Sequence, residues 1–74
     1  MKTTIAFGKN LQRIRTGKNI SQEKLAELSG LHRTYISGIE RGVRNPTLNT
    51  IVSIATALGI EPAQLLKGVI HDKK

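Results

Sequence analysis

The segment from Ser21 to Arg41, SQEKLAELSGLHRTYISGIER, constrains the fold of this chain more than any other feature of its sequence. Ser21 can accept backbone N–H groups as a helix cap, and Leu25 and Leu28 follow it three residues apart on one helical face. Gly30 supplies the permissive backbone that ends such a helix. Because a second helical pattern follows directly, the segment predicts two short helices joined by a tight turn.

The second of these helices is predicted to have one buried side and one polar side. Ile36 and Ile39 point inward, with Tyr35 beside them at the edge of the buried arc. The remaining arc carries hydrogen-bonding groups and almost no apolar surface, and its members are Arg33, Thr34, Ser37 and Arg41. A short helix that leaves such a face uncovered is typical of the DNA-reading half of a helix-turn-helix.

Helical spacing, caps and helix-breaking residues predict five helices along the chain. They are placed at about residues 4–16, 21–29, 32–41, 47–58 and 62–67. Residues 71–74 are expected to form a disordered tail. The predicted fold is therefore all-α: a single domain over residues 1–74, built as a compact five-helix bundle that contains the helix-turn-helix.

The first and fourth predicted helices have the clearest core patterns. In the first, Phe7, Leu11 and Ile14 are predicted to point inward, and Gly17 marks the end. In the fourth, Thr47 is the predicted cap. The apolar residues of this fourth helix repeat at helical spacing, and they are Leu48, Ile51, Val52, Ala55 and Leu58.

Composition excludes several classes of protein. Without cysteine the chain has no disulfide, no zinc knuckle and no thiol nucleophile, which fits a reducing cytoplasm. No segment approaches the roughly 20 apolar residues that span a bilayer, and the N-terminus lacks the apolar stretch of a signal peptide. His32 and His71 have no partner at metal-ligand spacing, and no catalytic constellation occurs. We therefore expect a cytoplasmic protein with no enzymatic activity, cofactor, metal, small-molecule ligand or membrane partner.

The formal net charge of +7 is unevenly distributed along the chain. Residues 1–45 hold nine lysines and arginines against three glutamates, whereas residues 46–74 hold three lysines against two acidic residues. The basic part contains the helix-turn-helix. A polyanion that releases counterions is the natural partner of such a surface, and a merely solvated basic surface is the alternative. The position of the charge on the motif favours double-stranded DNA.

Side chains near the start of the second helix of the motif are candidates for reading bases. Arg33 has the length and the paired donors to bind guanine O6 and N7 in the major groove. Thr34 and Ser37 can hydrogen-bond to bases or phosphates, or they form an idle polar face. Gly38 would let the DNA backbone come close. Tyr35 suits either DNA contact or packing.

Six pieces of the chain, in order, resemble one known family. They are LQRIR, SQEKLAELSG, RTYISGIERG, RNPT, LNTIVSIATALGI and EPAQLL. Together they resemble the phage-repressor-like (Cro/C1-type, XRE) helix-turn-helix proteins, and RTYISGIER followed by RNPT is most similar to the controller proteins of restriction-modification systems. The resemblance implies a lambda-repressor-like DNA-binding domain, encoded by a bacterium or phage, that acts as a small dimeric regulator.

The resemblance also implies roles for individual residues. In controller-like relatives, the residues that match Arg33, Thr34, Tyr35 and Ser37 lie at the DNA. Arg15 and Glu40 match a partly buried ion pair of the family, which sets the angle of the second helix of the motif.

Six residues around the motif are expected at the DNA backbone. They are Ser21, Gln22, His32, Arg41, Arg44 and Asn45. Gln22 is included because the family uses a glutamine there to bind a phosphate. Arg41, Arg44 and Asn45 are included for their place at or just after the second helix, with plain solvation as the alternative.

Apolar residues near the C-terminus predict a homodimer. Ile60, Leu65, Leu66, Val69 and Ile70 exceed what four short helices need for a core, and the family dimerises through this region. One recognition helix also covers too few base pairs for useful selectivity. We therefore expect two copies on a roughly palindromic operator, unless the last helix simply caps the monomer core.

Glu23 and Glu27 lie one turn apart on the exposed side of the first helix of the motif. In activating relatives the matching positions carry acidic residues that touch RNA polymerase, although such a pair is also common on a solvated face. The predicted function is a sequence-specific transcriptional regulator, of controller type, that activates its own promoter, represses it, or does both. The alternative is an antitoxin-type or phage-type repressor that acts with a protein partner.

Overall fold

The computed structural model describes residues 2–69, and within that range the chain forms five helices and no strand. They are α1 (Lys2–Gly17), α2 (Gln22–Ser29), α3 (Arg33–Glu40), α4 (Leu48–Leu58) and α5 (Pro62–Leu66). The predicted all-α, five-helix fold is confirmed, and every helix end lies within two residues of its expected position. None of these helices combines the length and apolar character needed to cross a membrane. The expected tail, residues 71–74, lies outside the described range.

The helices enclose one aliphatic core, to which every helix contributes. Helix α1 packs against α3 and α5, α2 packs against α3 and α4, and α4 packs against α5. The buried apolar residues are Phe7, Leu11, Leu25, Ile36, Ile39, Ile54, Ala55, Leu58 and Leu65. Because α1 and α2 both cover the inner side of α3, only the outer side of that helix remains in contact with solvent.

Helix α1 lies directly against the C-terminal end of α3 because residue 8 has no side chain. A Cβ atom at Gly8 would lie 2.4 Å from the carbonyl oxygen of Ile39 and 2.6 Å from that of Glu40. The hydroxyl of Thr4 donates a hydrogen bond to the carbonyl oxygen of Gly42 at 2.9 Å. The end of α3 is therefore held by backbone contact as well as by side-chain packing.

The turns on either side of α2 follow local sequence signals. The hydroxyl of Ser21 accepts the backbone N–H of Lys24 at 2.9 Å, and Gly30 ends the helix in the left-handed region at φ 77°. Helix α1 ends at Gly17, as expected, but the left-handed residue after it is Asn19, at φ 59°. Asparagine tolerates this conformation better than most residues, so the turn needs no glycine there.

The predicted apolar repeat of α4 splits into a buried and an exposed set. Leu48 is 74% exposed and Val52 is 43% exposed. The side of α4 that faces the core follows the i, i+3, i+4, i+7 pattern and consists of Ile51, Ile54, Ala55 and Leu58. The sequence pattern overlooked Ile54, which is completely buried. Leu48 and Val52 lie to one side of this stripe and remain in contact with solvent.

Helix α2 shows the same effect on a smaller scale. Leu25 is completely buried, whereas Leu28 is 48% exposed. The inward side of α2 is formed by Gln22, Leu25, Ala26 and Ser29. Leu28 lies at the rim of that side, so the spacing of three residues did not place both leucines in the core.

Asn10 connects α1 with the end of α5. Its Nδ2 atom donates to the carbonyl oxygens of Leu65 at 2.9 Å and Lys67 at 2.8 Å, and its Oδ1 atom accepts from Arg13 at 2.8 Å. These bonds satisfy carbonyl groups that a helix end leaves without an intrahelical partner.

Candidate nucleic-acid interface

The outer side of α3 is polar and in contact with solvent, as the sequence pattern predicts. Arg33, Thr34 and Arg41 are exposed, and Ser37 is partly exposed. On the opposite side Ile36 and Ile39 are completely buried. A helix with this division presents several hydrogen-bonding side chains in one direction from a fixed backbone, which is what major-groove recognition requires.

The guanidinium group of Arg33 has no competing partner within the protein. Within residues 2–69 it forms neither a hydrogen bond nor an ion pair. Arginine presents five N–H donors in a planar fork that matches paired acceptors. All of these donors are therefore available to an external acceptor such as the edge of a guanine.

Tyr35 and His32 occupy different surroundings from Arg33. Tyr35 is half-buried and packs against the core, so the packing interpretation accounts for at least part of its side chain. His32 is exposed at the N-terminal cap of α3, and its side chain makes no capping hydrogen bond. The ring of His32 remains accessible beside the first turn of α3.

A bidentate ion pair between Arg15 and Glu40 connects α1 to the end of α3. Arg15 Nε lies 2.6 Å from Glu40 Oε2, and the second N–H contact, from Nη2 to Oε1, measures 3.0 Å. The two side chains are 9% and 4% exposed. Arg15 Nη1 also donates to the carbonyl oxygen of Ile20 at 2.7 Å. This pair, expected from the family resemblance, is buried, and each of the three guanidinium nitrogens of Arg15 donates a hydrogen bond.

Gln22 belongs to the same network, which the sequence did not predict. Its Nε2 atom donates to Glu40 Oε1 at 2.9 Å, and the side chain is half-buried. An amide nitrogen carries two N–H groups, so one is used by Glu40 and the other remains available to an external acceptor. The contact joins residues 18 positions apart on different helices, and no local pattern in the sequence indicates it.

The segment after α3 adds further polar side chains to this side of the molecule. Arg41 is exposed, and its Nε atom makes a long hydrogen bond of 3.4 Å to the hydroxyl of Ser37. Arg44 and Asn45 are also exposed. Gly38 was expected to let the DNA backbone come close, but a Cβ atom there would lie 2.7 Å from Arg44 Cγ. The space over this glycine is therefore occupied by a side chain of the protein itself.

The two glutamates of α2 are exposed, as expected, but they are not equivalent. Glu27 Oε1 lies 3.6 Å from Lys24 Nζ on the helix surface, whereas Glu23 makes no ion pair among the described residues. Ser21, at the start of α2, uses its hydroxyl as the helix cap. Its hydroxyl proton remains available as a donor to a phosphate.

The predicted dimer residues divide between core and surface. Leu65 is completely buried within the single chain, so its assignment to a surface interface was wrong. Ile60 and Val69 are half-buried and pack against the core, and Leu66 is 44% exposed. Ile70 lies outside the described residues. The interpretation that α5 caps the monomer core is therefore correct for Leu65.

Exposed apolar side chains nevertheless occur on both α4 and α5. Leu48 and Val52 are exposed one turn apart on α4, and Leu66 is exposed on α5. An open hollow of about 80 Å³ adjoins Leu66, and its apolar lining includes Phe7 and Val69. Leu48 and Val52 were read as part of a helical core pattern, which concealed their exposure.

Comparison with known proteins gives consistent matches over most of the chain. The family model of the HTH_3 helix-turn-helix proteins matches residues 11–65. The control protein C.BamHI of Bacillus amyloliquefaciens is 54% identical over 63 residues, which cover 84% of this chain and 78% of that protein. The control protein C.SmaI of Serratia marcescens is 50% identical over 60 residues, which cover 81% of this chain and 71% of that protein.

A solved structure agrees with the same relationship. The restriction-modification controller protein C.AhdI of Aeromonas hydrophila superposes with a TM-score of 0.83 at 53% sequence identity, covering 84% of this chain and 94% of that one. The resemblance seen in the sequence is thus confirmed. The chain belongs to the HTH_3 helix-turn-helix family and is similar to its restriction-modification control proteins.

Proposed function

We propose that this protein is a sequence-specific DNA-binding transcription regulator of the restriction-modification controller type. The observation that carries the proposal is the exposed polar side of α3, whose opposite side is fixed in the core. The names of its relatives support the controller assignment, because C.BamHI, C.SmaI and C.AhdI are all control proteins. An antitoxin-type or phage-type repressor is the alternative that the experiments below would expose.

Base recognition is assigned to the first half of α3. Arg33 would bind guanine O6 and N7 with two parallel hydrogen bonds, a contact worth about 1–3 kcal/mol of discrimination. Thr34 and Ser37 would make the shorter contacts alongside it. Tyr35, which packs against the core, would contribute the accessible part of its ring.

Contacts to the DNA backbone are assigned to residues that surround α3. They are Ser21, Gln22, His32, Arg41, Arg44 and Asn45. The free backbone N–H groups at the start of α2 favour a phosphate next to Gln22. Such contacts fix the register of the protein on the duplex without reading sequence, and they make the affinity strongly dependent on salt.

A second copy of the chain is the proposed occupant of the exposed apolar surface on α4 and α5. Leu48, Val52 and Leu66 supply this surface, and the residues from 46 onward carry little net charge. Two copies that met there would avoid bringing their basic parts together. A two-fold dimer of helix-turn-helix proteins reads a palindromic operator whose half-sites lie about one DNA turn, ~10 base pairs, apart, and we expect such an operator here.

Glu23 and Glu27 are the proposed contact with RNA polymerase. Both side chains are exposed, and the charge of Glu27 is partly balanced by its ion pair with Lys24. Glu23 is therefore the less compensated acid of the two. With a promoter as its target, the protein would act in the cytoplasm of the bacterial cell, as a regulator without catalytic activity.

The decisive test is selection of binding sites from random duplex DNA with the purified protein. We expect a two-fold symmetric motif that contains a guanine in each half-site. The same selection with Arg33→Ala is expected to return a motif in which the preference for that guanine is relaxed. Sequence-blind, salt-sensitive binding by the original protein would contradict the proposal.

Arg13→Ala is the matched control for this experiment. It removes the same charged group from an exposed position on α1, where Arg13 is hydrogen-bonded to Asn10 beside α5. We expect the selected motif to be unchanged.

Sedimentation of the free protein tests the proposed dimer separately, and a monomer at micromolar concentration would contradict the dimer. Co-purification of a small protein partner would favour the antitoxin-type alternative.

A further inference from the structure

Gly38, in the middle of the recognition helix α3, is buried beneath the side chain of Arg44. The three heavy atoms nearest to a Cβ placed on Gly38 all belong to Arg44: Cγ at 2.7 Å, Nε at 3.6 Å and Cδ at 3.7 Å. The aliphatic part of Arg44 therefore lies across the surface of α3 at this glycine. A methyl group on residue 38 would overlap with Cγ of Arg44, close to its backbone. Moving only the guanidinium end of the arginine would therefore not relieve the overlap.

The backbone of α3 does not require glycine at this position. Gly38 lies within an α-helix and is not among the glycines with positive φ. Glycine in a helix interior costs about 0.5–1 kcal/mol relative to alanine. The structural gain that accompanies this cost is the room it leaves for Arg44.

The stem of Arg44 keeps the base of its guanidinium group close to α3, since Nε would lie 3.6 Å from a Cβ on Gly38. Gly38 lies four residues after Thr34 and three before Arg41, and these spacings place residues on the same face of a helix. Within residues 2–69 the guanidinium of Arg44 makes no hydrogen bond or ion pair. A long side chain loses up to about 2 kcal/mol of rotamer entropy when it is fixed, and prior ordering of its stem reduces that loss on binding.

We propose that Gly38 is a positioning residue that holds Arg44 against α3, where its guanidinium binds a DNA phosphate. This inference rests on the proposed function. It gives Gly38 a role different from close approach of the DNA itself, because Arg44 already fills the space. The proposal makes residues 38 and 44 one functional unit.

The test is a double-mutant cycle with Gly38→Ala, Arg44→Ala and the double variant, each measured on the selected operator over a range of salt. Gly38→Ala is expected to weaken binding on the order of tenfold, as expected for a lost hydrogen bond to a charged group. The slope of log affinity against log salt should fall by about 0.9, the value for one phosphate contact. In the Arg44→Ala background, Gly38→Ala should leave both affinity and slope unchanged.

Thermal unfolding of the same four proteins gives a readout that does not need DNA. Alanine is the better helix former, so Gly38→Ala should raise the melting temperature in the Arg44→Ala background. It should raise it less, or lower it, when Arg44 is present, because residues in contact are energetically coupled. Gly17→Ala is the matched control, since nothing lies within 4 Å of a Cβ at Gly17, and DNA binding should not change.

The outcomes separate the two hypotheses. If Gly38→Ala weakens binding equally with and without Arg44, the glycine admits the DNA backbone directly and the proposal is wrong. An unchanged salt slope in Gly38→Ala would also overturn it. If the original protein shows no sequence preference, the proposed function fails instead, and the coupling in thermal unfolding alone would then report the contact between residues 38 and 44.

Discussion

The two halves of this molecule expose opposite kinds of side chain from the same core. The outer side of α3 exposes charged and hydroxyl groups, whereas the outer side of α4 exposes Leu48 and Val52. Both helices bury isoleucines on their inner side, among them Ile36 and Ile54. Burial therefore determines the fold, and what remains outside distinguishes the two surfaces.

The two surfaces also differ in the contacts that hold their helices in place. Helix α3 is held by backbone contact at Gly8 and by a buried ion pair between Arg15 and Glu40. Helix α5 is only five residues long and is held by Leu65 and by the hydrogen bonds of Asn10. The support of α3 thus includes a buried ionic contact, whereas the polar contacts that hold α5 are made by neutral groups.

The largest expected effect comes from removing the support of the polar surface. Glu40→Ala leaves the buried guanidinium of Arg15 without its carboxylate, and we expect the free energy of unfolding to fall by about 3–5 kcal/mol. Glu27→Ala, which breaks the exposed pair with Lys24, should cost at most about 0.5 kcal/mol. Urea unfolding of both variants measures the difference, and equal losses would contradict the buried ion pair as the main support.

The second prediction distinguishes the buried Leu65 from the exposed Leu66 on α5. Leu65→Ala should lower the free energy of unfolding by about 2–5 kcal/mol, because the side chain is completely buried. Leu66→Ala should change it little at low protein concentration, since the residue is partly exposed, but should weaken dimerisation. Unfolding and sedimentation are compared at one concentration, because dimerisation makes the melting temperature depend on concentration. Similar unfolding losses for both would remove the distinction between core and surface.

A third prediction tests the apolar surface of α4. Leu48→Glu places a charge on a side chain that is 74% exposed in the single chain, so folding should be preserved. If a second copy covers this surface, the dimer should dissociate at least about tenfold more readily. Gln12→Glu adds the same charge at an exposed position on α1 and serves as the control. Sedimentation equilibrium of the two variants decides, and identical dimerisation would place the interface elsewhere.

The smallest effect compares two helix caps, one in each half. Ser21 caps α2 and Thr47 caps α4, with hydroxyl-to-N–H distances of 2.9 Å and 3.1 Å. Replacing either with alanine should cost about 0.5–2 kcal/mol of stability. Only Ser21→Ala should also reduce the affinity for DNA, because the Ser21 hydroxyl proton is the one assigned to a phosphate. If Thr47→Ala reduced it equally, the assignment of DNA contacts to the α2 side would be wrong.

Local signals in the sequence predicted the helices and their ends well. Ser21 caps α2 and Gly30 ends it through contacts within a few residues, so both effects can be recognised from the local sequence. The polar side of α3 was also predictable, because eight helical residues are enough to define a buried face. Helical wheels were less reliable where apolar residues exceed what the core can take, as at Leu28 and Leu48.

Contacts between distant residues were predictable only through resemblance, or were not predictable at all. The pairing of Arg15 with Glu40 was expected from related proteins, since no spacing rule connects residues 25 positions apart. The hydrogen bond from Gln22 to Glu40 was predicted neither by residue spacing nor by the resemblance to related proteins. The burial of Leu65 was missed because α5 is too short for periodicity to separate its inner side from its outer side.

Three helical glycines of this chain differ in what a side chain at their position would meet. Gly17 faces open space, Gly38 faces the side chain of Arg44, and Gly8 faces the backbone of α3. Position 17 is expected to vary alone, and a side chain at position 38 is expected mainly together with a change at position 44. Position 8 has no compensating change available, because its neighbours are carbonyl oxygens that every amino acid carries. Lineages of this protein should therefore show drift at position 17, covariation between positions 38 and 44, and invariance at position 8.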